Sequence, residues 1–131
     1  MGNCGSSDQA DPAAILVVED DSLVRETIVE HLKDCGYFVV EAASAEEAQT
    51  MLRRGINIDL VFSDVMMPGQ NGFELASWIH SQFAKMRILL TSGYDSAARR
   101  VADEPNADRL LTKPYLPGQV VQLIEMMLHG A

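Results

Sequence analysis

Five short apolar runs alternate with helical patterns along this chain, and that alternation leaves few folds open. Residues 15–18 are a continuous apolar run, as expected of a strand buried on both faces. A first helix is expected over residues 22–35, with Val24, Ile28, Leu32 and Cys35 on one stripe and Gly36 as its stop. Residues 37–42 read as a second strand. Ser44, with Glu47 three residues on, reads as a capping box opening a second helix that ends at Gly55. Residues 60–63 are a third strand, and residues 73–83 a third helix with Ala76, Ile79 and Phe83 inward. A fourth strand follows at residues 88–91, then a short helical pattern near residues 96–103, closed by Pro105. Arg109–Thr112 is the fifth strand, and Pro117 suits the first position of a last helix reaching His129. This predicts an α/β fold: an open five-stranded parallel sheet with helices on both faces.

Such sheets bind ligands beyond the carboxyl ends of their strands, at a switch in strand order. Several strand ends here carry chemistry. The first strand runs into Glu19-Asp20-Asp21. The third runs into Asp64, whose backbone is fixed by a Pro/Gly-rich turn from Met66 to Gly72. The fifth runs into Lys113-Pro114, and Thr91 ends the fourth. Three acids from two strands and one lysine from a third suit Mg2+ and a phosphoryl group. Singly, Asp64 is also explained as a turn-starting residue, Thr91 as a β-branched strand residue, and Asp21 or Ser22 as a helix cap. Their joint occurrence carries the weight.

With 131 residues the chain is one domain, and its net charge of −9 argues against nucleic acid as a direct partner. No apolar stretch approaches the roughly 18 residues a membrane span needs. Cys4 and Cys35 lack motif spacing; Cys35 reads as a small residue packed at a helix end, and a cytoplasmic setting fits better than a disulfide. Residues 1–12 are expected to form a flexible leader and residues 13–131 the folded unit. Met1-Gly2-Asn3-Cys4-Gly5-Ser6 fits the myristoylation pattern, yet no basic residue supports it, and a plain leader is the simpler reading.

Read together, these residues resemble the receiver domain of two-component response regulators, over about residues 13–129. Glu19-Asp20 matches the family's acidic pair. Asp64-Val65-Met66-Met67-Pro68-Gly69-Gln70-Asn71-Gly72 matches its phosphoacceptor motif. Thr91-Ser92 and Lys113-Pro114 match its hydroxyl and lysine positions. The resemblance implies a flavodoxin-like (βα)5 fold and a Mg2+-dependent transfer from a phosphohistidine to Asp64. The partner would be a histidine kinase or phosphotransfer protein. It also implies metal ligation by Asp20, Asp64, Glu19 and the Met66 carbonyl, with Lys113 and Thr91 contacting the phosphoryl oxygens. The Leu90–Tyr94 and Leu111–Tyr115 runs look like the receivers of hybrid sensor kinases.

The chain departs from the family at Leu110, where many receivers carry an aromatic switch; Tyr94 and Tyr115 are nearby aromatics. Met66 and Gly93 stand where aspartyl-phosphate lifetime is usually tuned and offer nothing to orient water, which predicts slow to moderate self-hydrolysis. The last helix has a broad apolar arc, and Val121, Met126 and Leu128 are its expected partner or self-association edge. A phosphatase with an aspartyl intermediate needs a second Asp two residues after the first, where Met66 stands. The remaining alternative is a degenerate receiver that binds partners without phosphorylation.

Overall fold

The structure, a computed structural model, describes residues 12–92, 109–113 and 115–129. Its elements run β1 (Ala14–Val18), α1 (Ser22–Asp34), β2 (Phe38–Ala42), α2 (Ala45–Arg53), β3 (Leu60–Asp64), α3 (Gly72–Gln82), β4 (Arg87–Ser92), β5 (Arg109–Thr112) and α4 (Pro117–His129). The helical pattern expected near residues 96–103 lies outside the described residues. All strand pairs are parallel, in the order β2-β1-β3-β4-β5. That is the flavodoxin-like order, whose switch point falls between β1 and β3.

Successive strand residues face opposite sides, so each apolar run feeds two cores. Leu16, Val18, Val61, Ile88 and Leu90 pack under α2 and α3 with Ala48, Leu52, Ala76 and Ile79. Ile15, Val17, Leu60, Phe62 and Leu89 pack under α1 and α4 with Ile28, Leu32, Val120 and Ile124. Each fully buried Leu or Ile stabilises the fold by about 2 kcal/mol relative to an exposed one. The central strands β1 and β3 are buried at every residue. At the edge, β2 pairs only with β1 among the described residues and leaves Phe38 exposed.

Helix ends follow from local chemistry. Asp21 caps α1, accepting from the N–H groups of Leu23 (3.0 Å) and Val24 (3.3 Å). The helix closes in a Schellman motif: Gly36 takes φ 91°, its N–H donates to the Lys33 carbonyl (2.9 Å), and the Tyr37 N–H donates to the Leu32 carbonyl (3.1 Å). Ser44 accepts from the Glu47 N–H at 3.0 Å, but Glu47 reaches back to the Ala43 N–H, so the expected box is shifted by one residue. The reciprocal box stands instead at Asn71 and Glu74, each accepting from the other's N–H at 2.9 Å.

Two expectations need correction. Val121 is buried in the core under α1 and α4, because the stripe that includes Val120 and Ile124 is wide enough to take it; it is no part of an outer edge. Leu128 is half-buried against the same core, and only Met126, at 44% exposure, faces outward. Cys35 is half-buried and disulfide-bonded, its partner lying outside the described residues, so the reading as a plain packed thiol fails. Among the described residues, no helix is long and apolar enough to cross a membrane.

Candidate functional site

The strand residues under α1 and α4 form rows of alternate positions. Extended by one step, those rows end in chemistry: Ile15 and Val17 lead to Glu19, Leu60 and Phe62 to Asp64, Leu89 to Thr91, and Leu111 to Lys113. Backbone pairing continues past the strands and fixes these ends. The Glu19 N–H donates to the Ala42 carbonyl (3.0 Å), the Val65 N–H to the Thr91 carbonyl (2.9 Å), and the Lys113 N–H to the Ser92 carbonyl (2.8 Å). Asp64 lies in register with Thr91, on the neighbouring strand.

Asp64 is 5% exposed. Lys113 Nζ sits 3.1 Å from its Oδ2, and the Met66 N–H donates to its Oδ1 at 3.3 Å. The lysine remains partly solvated while the carboxylate does not, so the pair's main effect is to compensate a buried charge. Ser63 Oγ donates to the Asp64 carbonyl at 3.0 Å. Gly72 closes the turn against this residue: a Cβ there would stand 2.6 Å from the Asp64 carbonyl oxygen, so only glycine fits.

Glu19 is 3% exposed, and its Oε2 accepts from the Asp21 N–H at 3.1 Å. Burial pushes its carboxyl up to about 7, with the Asp64 and Asp20 charges adding to the rise; the Asp21 N–H and Lys113 oppose it. Asp20 is exposed. Glu19, Asp20 and Asp64 each offer an oxygen within 4.8 Å of the others. A cluster of hard oxygen donors with too little positive charge nearby fits Mg2+, which favours one or two carboxylates plus water. The Met66 side chain is exposed and its thioether has no affinity for such an ion.

The expected residues Glu19, Asp20, Asp64, Thr91 and Lys113 therefore converge. Thr91 is fully buried, and its Oγ1 has no hydrogen-bond partner among the described residues; neither has the buried Tyr115 hydroxyl. Leu110 packs toward the α2 and α3 side, away from this row. Gly93 and Tyr94 lie outside the described residues.

Arg25 was not foreseen. Its Nη1 donates to the Glu19 carbonyl at 2.7 Å, while its Nε pairs with Glu41 Oε1 at 3.1 Å on the edge strand. It ties the acidic loop to β2. Its only sequence signal is its position one turn into α1, on the side facing back to the loop.

The comparisons with known proteins agree with this geometry. The model of the response regulator receiver domain family matches residues 15–125. Transcriptional regulatory protein ResD of Bacillus subtilis is 32% identical over 126 residues, covering 95% of this chain and 51% of that protein. Sensor kinase CckA of Brucella abortus is 33% identical over 127 residues, covering 95% of this chain and 13% of that protein. The chain thus spans about half the length of the first and a small part of the second. Among solved structures, response regulator TrrA of Thermotoga maritima in complex with Mg2+-BeF superposes with a TM-score of 0.80 at 30% identity, covering 88% of this chain and 99% of that one. A CheY-like receiver domain protein of Methanospirillum hungatei gives 0.84 at 26% identity, covering 92% and 96%. On its sequence, its fold and its acidic site, this chain belongs to the response regulator receiver domain family.

Proposed function

We propose that Asp64 accepts a phosphoryl group from the phosphohistidine of a histidine kinase or phosphotransfer protein, in a Mg2+-dependent reaction. Family membership supplies the reaction class, because receiver domains take phosphoryl groups from histidine kinases. The observation that carries the residue assignment is the 3.1 Å contact from Lys113 to an Asp64 oxygen inside the three-acid cluster. Of the three acids, Asp64 alone is both buried and paired with a lysine.

An Asp64 oxygen attacks phosphorus. The new O–P bond forms as the P–N bond to imidazole breaks, and that electron pair stays on the departing nitrogen. A carboxylate meeting an anionic phosphoryl group needs positive charge around it. Lys113 stands ready to shift from the Asp64 carboxylate to a phosphoryl oxygen. Glu19, Asp20 and Asp64, with the Met66 backbone carbonyl, would hold Mg2+. When bound, Mg2+ offsets the repulsion between these carboxylates and the phosphoryl group and helps orient it. Thr91 donates to a phosphoryl oxygen on the Asp64 side of β4, so one charge event at the pocket is felt at the carboxyl end of that strand.

We take residues 13–131 as the receiver unit, in agreement with the span of the family match. A cytoplasmic setting follows from the donor, since histidine kinases draw on ATP; the cysteine argument for it falls with the Cys35 disulfide. The test is incubation with Mg2+ and acetyl phosphate, read by intact mass beside Asp64→Asn. Wild type is expected to gain one phosphoryl group and to lose the gain on chelation of the metal, and the variant to gain none. Equal gain by Asp64→Asn would overturn the assignment.

A further inference from the structure

Two buried hydroxyls without partners meet at one corner of the pocket. The Thr91 side chain is 0% exposed, and neither its Oγ1 nor the Tyr115 hydroxyl makes a hydrogen bond among the described residues. Buried polar groups are nearly always satisfied, and leaving one without a partner is costly. Two such orphans side by side imply a state of the protein in which they are used.

Tyr115 follows Lys113 by two residues, and its ring stands edge-on to Phe62, with centroids 6.4 Å apart and planes at 82°. Phe62 precedes Asp64 by two residues on the same face of β3. The phenol is thereby anchored between the strand that carries Asp64 and the one that carries Lys113. Its surroundings locate the hydroxyl: burial and the charges of Glu19 and Asp64 push its pKa up to about 12, and the adjacent Thr91 hydroxyl opposes them. The phenol therefore stays protonated and remains a donor at any physiological pH. The two hydroxyls adjoin, but no well-formed hydrogen bond joins them.

We propose that Tyr115 is a positioning residue: its hydroxyl donates to Thr91 Oγ1, which aims the Thr91 proton at a phosphoryl oxygen on Asp64. The inference rests on the reading of Asp64 as phosphoacceptor. A hydroxyl has one donor and two acceptor lone pairs, so Thr91 can accept from Tyr115 and donate to the phosphoryl group at once. Each bond polarises and strengthens the next, so the relay forms when an acceptor oxygen arrives. Leu110 carries no polar atom for this role. Tyr115 supplies one from the other side of Lys113 and carries the change into the segment that opens α4.

The test uses the full chain with Mg2+ and beryllofluoride, a phosphoryl mimic that binds the acceptor carboxylate, titrated by calorimetry. The variants are Tyr115→Phe, Thr91→Val and the double substitution. Tyr115→Phe keeps the ring and its contact with Phe62. It is expected to weaken beryllofluoride binding about fivefold to tenfold while leaving Mg2+ binding alone within about twofold. Thr91→Val is expected to weaken it at least as much, and the double variant no further than Thr91→Val, because the phenol then has no hydroxyl to act through. Tyr115→Phe binding like wild type would overturn the relay, as would losses that multiply, since the phenol would then act directly on the phosphoryl group. Wild type binding Mg2+ but not beryllofluoride would overturn the phosphoacceptor reading as well, and so separates the two failures.

Discussion

The two faces of the sheet are built from the same strands by the same alternation, yet they end differently. Under α2 and α3 the rows stay mostly apolar, through Val18, Val65 and Leu90, with the small hydroxyls of Ser63 and Ser92 as the buried exceptions. Under α1 and α4 the rows turn polar at the last step, into Glu19, Asp64, Thr91 and Lys113. One face is given mainly to packing, and the other combines packing with a layer of costly buried ionisable and polar groups. The sheet tolerates that layer because apolar residues surround it, and because each carboxylate but not each hydroxyl has a partner.

Substitutions sharpen this contrast. Lys113→Ala is expected to give the largest effect: phosphoryl uptake from acetyl phosphate should slow by roughly 10²- to 10³-fold, with the fold intact, as for other losses of a charge-stabilising donor. Time-resolved mass spectrometry checks this, and uptake within threefold of wild type would remove Lys113 from the chemistry. On the opposite face, Ile79 is fully buried. Ile79→Ala should destabilise the protein by about 3 kcal/mol in urea unfolding while phosphoryl uptake by the remaining folded protein is unchanged. A loss of uptake without loss of stability would break the division between the faces.

The third effect is a pH dependence. The Glu19 carboxyl has a folded value near 7, raised from 4.5. Between those values the folded protein keeps a proton that the unfolded chain has released. Metal-free stability is therefore fully present below about pH 4.5 and is lost as pH rises through about 7. The loss should be on the order of 1 kcal/mol for each pH unit between those two values. Melting curves from pH 5 to 8 should show a falling Tm in chelator that saturating Mg2+ or Glu19→Gln flattens; a Tm that rises over that range would contradict it. The smallest effect is at the edge. Glu41→Gln removes the ion pair with Arg25 but leaves the bond to the Glu19 carbonyl, and should cost under about 0.5 kcal/mol. A cost above about 1 kcal/mol would mean that the edge pair holds the acidic loop.

Much of this was legible in the chain. The strands appear within a residue or two of expectation, because a continuous apolar run of that length packs the same way wherever it lies in a parallel sheet. The acids, the threonine and the lysine all reach the site, because strand ends in this topology share one rim. The Asn71–Glu74 box was readable by the same rule applied at Ser44 but was passed over. Other features were not local. Whether Glu47 reaches Ser44 or Ala43 depends on how the chain enters α2. The burial of Val121 depends on how far α1 and α4 close over the sheet, which helical periodicity does not encode.

The sequence by itself determined the order of elements, their caps and the identity of the residues at each strand end, because these depend on neighbours a few positions away. Only the tertiary structure decided which strand ends adjoin. Lys113 and Asp64 are separated by 49 positions and meet because β3, β4 and β5 lie side by side in one register. It also decided that Thr91 and Tyr115 face each other as unpaired hydroxyls beside the acids. Such meetings depend on strand order, register and the packing of every segment at once, and no short stretch of chain specifies them.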